Sequence, residues 1–170
     1  VIHFQEYWVR LRASVPAEAL VVVGLEYSTP APGVVEAVLG ADLVVVPPSN
    51  PVVSVGTILG VPGLGDAVRS TPAPVVGLSP IVGDNHVHGM AHQMLTSIGV
   101  EVNAGAVARH YGARSSGGVL DGWLVDERDA QHVEGVEAAG IACRAVPLMM
   151  TSPQATAAMA AAAVDLVAAR

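Results

Sequence analysis

The chain has 170 residues, 52% of them hydrophobic and 14% charged, a composition of well-buried globular domains and not of disordered ones. Its net charge is −7 and all eight basic residues are arginines, too few cations to displace nucleic-acid counterions, which argues against nucleic-acid binding. The single cysteine, Cys143, excludes an internal disulfide and fits a reducing cytoplasm, and no apolar run reaches the ~18–20 residues of a bilayer crossing.

In chain order, residues 1–12 read as the middle of a helix, and the first residue is Val1, so the sequence is expected to begin inside a longer protein. Residues 19–23 (ALVVV) form a short continuous apolar run of the kind found in a parallel strand covered on both faces. Residues 32–39 predict a short helix opened by proline, and residues 42–46 (DLVVV) a second strand. A proline-rich loop, 47–51, then leads into a helix over 53–59. Residues 74–78 (PVVGL) predict a third strand, and 88–98 an amphipathic helix ended by Gly99. Further helix is expected over 104–111 and, in part, over 127–139, with strands at 120–125 and 141–146. Ser152 and Pro153 read as the N-cap and first position of an alanine-rich terminal helix. This alternation predicts a single α/β domain over residues 1–170, a Rossmann-like three-layer fold with a mostly parallel sheet, whose ligands would sit in the loops at the carboxyl ends of the strands.

The segment 42–63, DLVVVPPSNPVVSVGTILGVPG, carries the most information. An apolar strand, a polar loop and a helix start follow one another, and free N–H groups at a helix start favour an anion. Ser49, Ser54 and Thr57 add hydroxyl donors, Asn50 adds an amide, and Gly56 would let a phosphate approach the backbone closely. A plain turn also accounts for Pro-Ser-Asn-Pro, and pattern alone leans toward it while leaving the anion site open. No G-x-x-x-x-G-K-[ST] occurs, and the stretch beginning at Gly63 lacks the third glycine of a dinucleotide fingerprint.

Pro48-Ser49-Asn50-Pro51-Val52-Val53-Ser54-Val55-Gly56, followed by Val61-Pro62-Gly63, resembles the 2-phospho-L-lactate transferase family. The resemblance continues through His3-Phe4-Gln5-Glu6-Tyr7-Trp8-Val9-Arg10, Pro30-Ala31-Pro32-Gly33-Val34 and Leu78-Ser79-Pro80-Ile81-Val82-Gly83. It ends with Val107-Ala108-Arg109-His110-Tyr111-Gly112 and Leu120-Asp121-Gly122-Trp123, blocks that resemble actinobacterial members in particular. It implies transfer of a phosphoenolpyruvyl or phospholactyl group from a guanosine-diphospho donor to the deazaflavin Fo in coenzyme F420 biosynthesis. GMP and dehydro-F420-0 or F420-0 would be the products, with Mg²⁺ assisting; the apolar composition and the alanine-rich terminal helix separately fit a buried subunit interface, so a homodimer is expected. Ser49, Asn50, Pro51, Ser54, Gly56 and Thr57 would hold the donor's diphosphate or guanosine. The resemblance assigns no catalytic residue or metal ligand within this chain. It implies a C-terminal portion whose nucleotide- and metal-binding N-terminal part lies elsewhere, and a portion inactive alone. The sequence departs from the family pattern at Gly83-Asp84-Asn85-His86, where Asp84 would repel a phosphate. A related family, the gluconeogenesis-factor-like regulators that bind nucleotide sugars, shares the strand–loop–helix layout with a different loop, and Ser49-Asn50-Pro51 favours the transferase.

The remaining candidates weigh toward structural roles. His86, His88 and His92 are close in sequence, but no further ligand has metal-site spacing. Arg109, His110, Tyr111 and Arg114 form the main cationic cluster, which suits an anion or equally the end of a helix. Asp121, Asp126, Glu127 and Asp129 read as a solvated acidic face, and Cys143 as a small core residue. Tyr7 and Trp8 read as core and interface, with the deazaflavin ring as the alternative contact.

Overall fold

A computed structural model describes residues 1–83, 85–86 and 90–168, with 85 and 86 described by their backbone alone. Its centre is a four-stranded, wholly parallel sheet in the order β1-β2-β5-β6, made of β1 (Val44–Val46), β2 (Val75–Leu78), β5 (Gly122–Val125) and β6 (Ala142–Ala145). Between them β3 (Ile81–Val82) and β4 (Asn85–His86) form a small antiparallel hairpin. The helices are α1 (Val34–Leu39), α2 (Thr57–Leu59), α3 (Leu64–Ser70), α4 (Ala91–Ser97), α5 (Ala104–Tyr111), α6 (Val133–Ala138) and α7 (Pro153–Ala168).

Both faces of the sheet are covered, which is why its strands are apolar without alternation. On one face Val75, Trp123, Val125 and Cys143 pack with Leu95, Val107, Tyr111 and Val136 from the helices α4, α5 and α6. On the other, Val76, Leu78, Leu124 and Ala142 pack with Met159, Ala163 and Leu166 of α7. The layers are therefore helix, sheet, helix, as the Rossmann-like expectation has it. Trp123 shows how closely they fit: its ring lies so near Gly77 that a Cβ there would come within 2.5 Å of it, and its indole N–H donates to the Ala104 carbonyl at 3.1 Å. A third, smaller cluster joins Tyr7 and Ala13 of the amino-terminal segment to Met90 and Met94, with Val52 and Val53 beside them.

Four of the five expected strands form, each within its expected range, and α5 spans the expected residues. At the start of α7 the Ser152 hydroxyl accepts from the Ala155 N–H at 3.1 Å, the cap that its sequence implies. The expected strand at 19–23 does not form: Val21 and Val23 are 78% and 92% exposed, and Gly24, at φ 83°, turns the chain into a 3₁₀ turn over Leu25–Tyr27. A short apolar run becomes a strand only beside a partner, and none of the described strands pairs with it. The amino-terminal helix shrinks to a π-helical turn, Glu6–Arg10, with Glu6 paired to Arg10. Helix α3 and the β3–β4 hairpin go beyond the elements expected from the sequence. Of the helix expected over 88–98, His88 lies outside the described residues and Ala91–Ser97 is helical, with Gly99 at φ 72° closing it. No single helix among the described residues is long and apolar enough to cross a membrane.

Candidate functional site

The carboxyl edge of the parallel sheet borders a cleft of about 310 Å³, lined by segments that follow β1, β2 and β6. The loop after β1 contributes Pro48 and Asn50, and the turn after β2 contributes Ser79, Pro80 and Val82. Met90 and Ala91 come from the start of α4, and Leu148, Met149, Met150 and Thr151 from the loop after β6. This is where ligands bind in open parallel sheets.

The β1 loop is shaped by Asn50. Its side-chain oxygen accepts from the N–H groups of Val52 and Val53 at 2.9 and 3.2 Å, and its backbone carbonyl accepts from Ser54 and Val55 at 3.2 and 3.0 Å. With Pro51 at the first helical position, the π-helical segment Pro51–Gly56 thus starts with its backbone donors satisfied. The sequence suggests that free N–H groups here would cradle a phosphate; the asparagine that makes the motif conspicuous has already capped them. What remains outward is the Asn50 side-chain nitrogen and the hydroxyl chemistry of Ser49 and Ser54, both half-buried. Thr57 donates to the Val53 carbonyl at 3.2 Å. Gly56 is required by the π-helical turn itself, since a Cβ would come within 2.7 Å of the Pro51 carbonyl oxygen.

Of the six expected contact residues, therefore, only Asn50 lines this cleft, and Ser49 stands between two of its lining residues. Pro51, Gly56 and Thr57 line a second cavity of about 300 Å³, with Leu20, Val22 and His110. That cavity is mostly apolar, and partial burial pushes the His110 imidazole below its ordinary value.

Two aspartates behind the cleft hold its walls. Asp126, directly after β5, is 4% exposed and accepts from the Leu148 N–H at 2.9 Å, the Arg128 N–H at 3.2 Å and Arg128 Nε at 2.7 Å. Burial alone would raise its carboxyl, but the bonds from Arg128 and Leu148 and the nearby guanidinium charge outweigh it and hold it below the usual range. Asp129, fully buried, takes the Gly83 N–H on both its oxygens at 3.0 and 2.9 Å. One carboxylate thus anchors the Leu148–Thr151 wall and the other the hairpin wall. The sequence places both on a solvated acidic face; the structure corrects this, because each carboxylate is buried against backbone donors that no strand or helix satisfies.

Arg114 is likewise not an anion site. It forms a two-point pair with Asp121, at 3.2 and 2.8 Å, and donates to the carbonyls of Thr71 and Ala73 at 2.7 and 2.9 Å. All of this lies at the amino ends of β2 and β5, away from the cleft. Arg109 and His110 occupy the last turn of α5. Tyr7 is buried and donates to the Val15 carbonyl at 3.0 Å, while Trp8 is 38% exposed. Cys143 is buried in the core as expected, and burial, with the Glu137 charge added, pushes its thiol up to about 12. Asp84 and His88 lie outside the described residues, as do the side chains of Asn85 and His86.

The fold defines an α/β protein with a cleft at the carboxyl edge of a parallel sheet. Residues 1–150 match the family model of 2-phospho-L-lactate transferase, and the chain belongs to that family. It is 65% identical over 165 residues, 97% of its length, to the phosphoenolpyruvate transferase of Streptomyces griseus. It is 62% identical to that of Streptomyces coelicolor and 53% to that of Mycolicibacterium smegmatis over the same share of the chain. It spans about half the length of these relatives, 51%, 50% and 49% respectively.

Proposed function

We propose that this chain forms one side of the active site of a cytoplasmic transferase that moves a phosphoenolpyruvyl group from a guanosine-diphospho donor to the ribityl hydroxyl of the deazaflavin Fo. The observation that carries the reading is the cleft at the carboxyl ends of the strands, bordered by the Ser49–Asn50 loop, in a chain of this family. The names of its relatives favour phosphoenolpyruvate over phospholactate as the transferred acid. In the reaction the acceptor's hydroxyl oxygen bonds to phosphorus and loses its proton, the bond from that phosphorus to the GMP phosphate breaks, and GMP leaves. The chain's own contribution is to position the partners. The Ser49 and Ser54 hydroxyls and the Asn50 side-chain nitrogen would meet the donor's phosphates, and Pro51, Gly56 and Thr57 would set the shape of the helix that presents them.

Mg²⁺ neutralises phosphate charge in phosphoryl transfers of this kind. The described residues do not fit it: the two carboxylates behind the cleft are occupied by Leu148, Arg128 and Gly83, and no three His, Cys, Asp or Glu among the described residues group as metal ligands. Its ligands would lie in the remaining length that the relatives have. The exposed outer face of α7, with Ala157, Ala161 and Val164, supports a homodimer, which light scattering would test.

The test is calorimetric titration with GDP and GMP, using UDP-glucose as control, on the chain and on its Ser49→Ala and Asn50→Asp variants. Guanosine-selective binding that the variants weaken is the expected result. Preference for UDP-glucose would instead mark a nucleotide-sugar-binding regulator and overturn the transferase.

A further inference from the structure

We infer that residues 19–23 become a β-strand when a strand from the other half of the full-length protein, the length that the relatives have beyond this chain, pairs alongside them. That half also covers Val21 and Val23, and through Leu20 and Val22 it braces the helical segment next to the Ser49–Asn50 loop.

Residues 19–25, ALVVVGL, contain neither charge nor proline. Their side chains already alternate as those of a strand do. Leu20 and Val22 line the second cavity, whereas Val21 and Val23 stand out, 78% and 92% exposed. Both ends of the run are held. Leu20 packs against the cluster of Tyr7, Met90 and Met94. Leu25 lies so near Gly60 that a Cβ there would come within 2.9 Å of its methyl carbon. What the run lacks is a ladder. Among the described residues, no hydrogen bond is made by the N–H groups of residues 20–23 or by the carbonyls of Leu20 and Val21.

Folded proteins seldom leave such a run bare. Open strand edges are blunted by charge, by proline or by a covering element, because unpaired backbone beside apolar side chains recruits other chains. Nothing within residues 19–25 blunts this one, so a covering element is required. Ile98, which lines the same cavity, and Tyr27, just beyond the run, are exposed apolar surface too. The chain spans 51% and 50% of its two Streptomyces relatives, so about as much chain again exists to supply the cover. Joined to the same polypeptide, that half meets the run at a high effective concentration, an advantage that a second copy lacks. A strand adding to an open edge makes main-chain bonds and presses alternate side chains into pockets. Leu20 and Val22 are those side chains here, and Val52, Gly56 and Thr57 line the pocket with them. Val52 and Gly56 belong to the segment that Asn50 caps, so the other half steadies the loop that the transferase reading gives to the donor.

The experiment is amide hydrogen exchange, read by mass spectrometry, on the full-length protein and on this chain. In the full-length protein the amides of residues 20–23 are expected to exchange about a hundredfold more slowly than in the chain alone, where protected β2 and β5 report a folded sheet. Two double variants of the full-length protein test the pairing itself. Val21→Asp with Val23→Asp should cut the protection about thirtyfold or more. Val21→Thr with Val23→Thr keeps β-branched side chains and should cost about threefold or less. Fast exchange of the run in the unaltered full-length protein would overturn the strand, and so would protection that survives the aspartate pair. Protection in the chain alone that rises with concentration would assign the run to a second copy. Protection there at every dilution would assign it to a partner within the chain, and either result overturns the other half as the occupant. If β2 and β5 also exchange fast in the chain alone, the two full-length variants decide. Calorimetry with GDP on the full-length protein keeps the two readings apart. A protected run without guanosine-selective binding keeps the strand and counts against the transferase; guanosine-selective binding with an unprotected run does the reverse.

Discussion

Strand β5 is bracketed by two aspartates, Asp121 before it and Asp126 after it, and each has an arginine partner. At the amino end, Arg114 reaches Asp121 and two carbonyls of the turn that leads into β2, while Asp121 also accepts from the Val75 N–H at 2.8 Å. Apart from the Arg114–Asp121 pair itself, every contact there closes on the fold's own backbone. At the carboxyl end, Asp126 binds a loop instead of a strand, and Arg128 leaves its side chain 58% exposed beside it. The same pair of residue types therefore knits the sheet at one end and suspends a cleft wall at the other. The difference is in what surrounds the pair: strand entries that must be clamped, against loops that must hold a shape around a ligand.

The largest effect tests the amino end. Arg114→Ala removes a paired charge and two carbonyl bonds in a setting where both side chains are only about one-fifth exposed. It should lower unfolding free energy by about 2–3 kcal/mol in urea titration, because it leaves Asp121 unpartnered by a cation. Ligand affinity measured well below the midpoint should not change. A binding loss as large as the stability loss would erase the distinction between the two ends.

The carboxyl end should respond differently. Asp126→Asn keeps the shape and weakens the bonds to Leu148 and Arg128, so roughly 1 kcal/mol of stability should go, with a clear drop in affinity for whatever the cleft holds. Acid titration sharpens this. The folded Asp126 carboxyl lies below its ordinary value, so its stabilising contribution is present above the ordinary carboxylate range and disappears as pH falls through the lower folded value. In the asparagine variant that part of the acid-side loss should vanish, and superimposable acid unfolding curves would count against the pairing.

The sheet is legible in the sequence because its strands are covered on both faces and so read as unbroken apolar runs. Residues 42–46, 74–78, 120–125 and 141–146 all say the same thing locally and globally. The run at 19–23 is just as apolar, and only the presence or absence of a neighbouring strand separates it from the others, which periodicity does not encode. In the site, the β1 loop is visible from its residue types, but its wiring is not. Asn50 looks the same in sequence whether its oxygen caps the helix or its nitrogen meets a ligand. Asp126 and Asp129 escape the sequence for a related reason: their partners, Leu148 and Gly83, lie far away along the chain, and Asp-Glu-Arg-Asp on its own resembles any exposed helix start.

The smallest expected effect on stability belongs to Asn50, and it decides which side of that residue matters. Asn50→Ala should lose about 1 kcal/mol, the ordinary worth of an N-cap, since Val52 and Val53 lose their acceptor. Asn50→Asp keeps an acceptor for both N–H groups and adds the negative charge that a helix start favours, so its stability should stay within about 0.5 kcal/mol of the parent. It removes the one donor the side chain turns outward and sets a carboxylate where a phosphate would come. If the residue serves only the fold, the aspartate variant should bind like the parent and only the alanine variant should suffer. The proposed contact between Asn50 and the donor gives the opposite expectation: the aspartate variant should fold well and bind the guanosine ligand worst, a separation of stability from affinity that Arg114→Ala shows in reverse at the other end of the sheet.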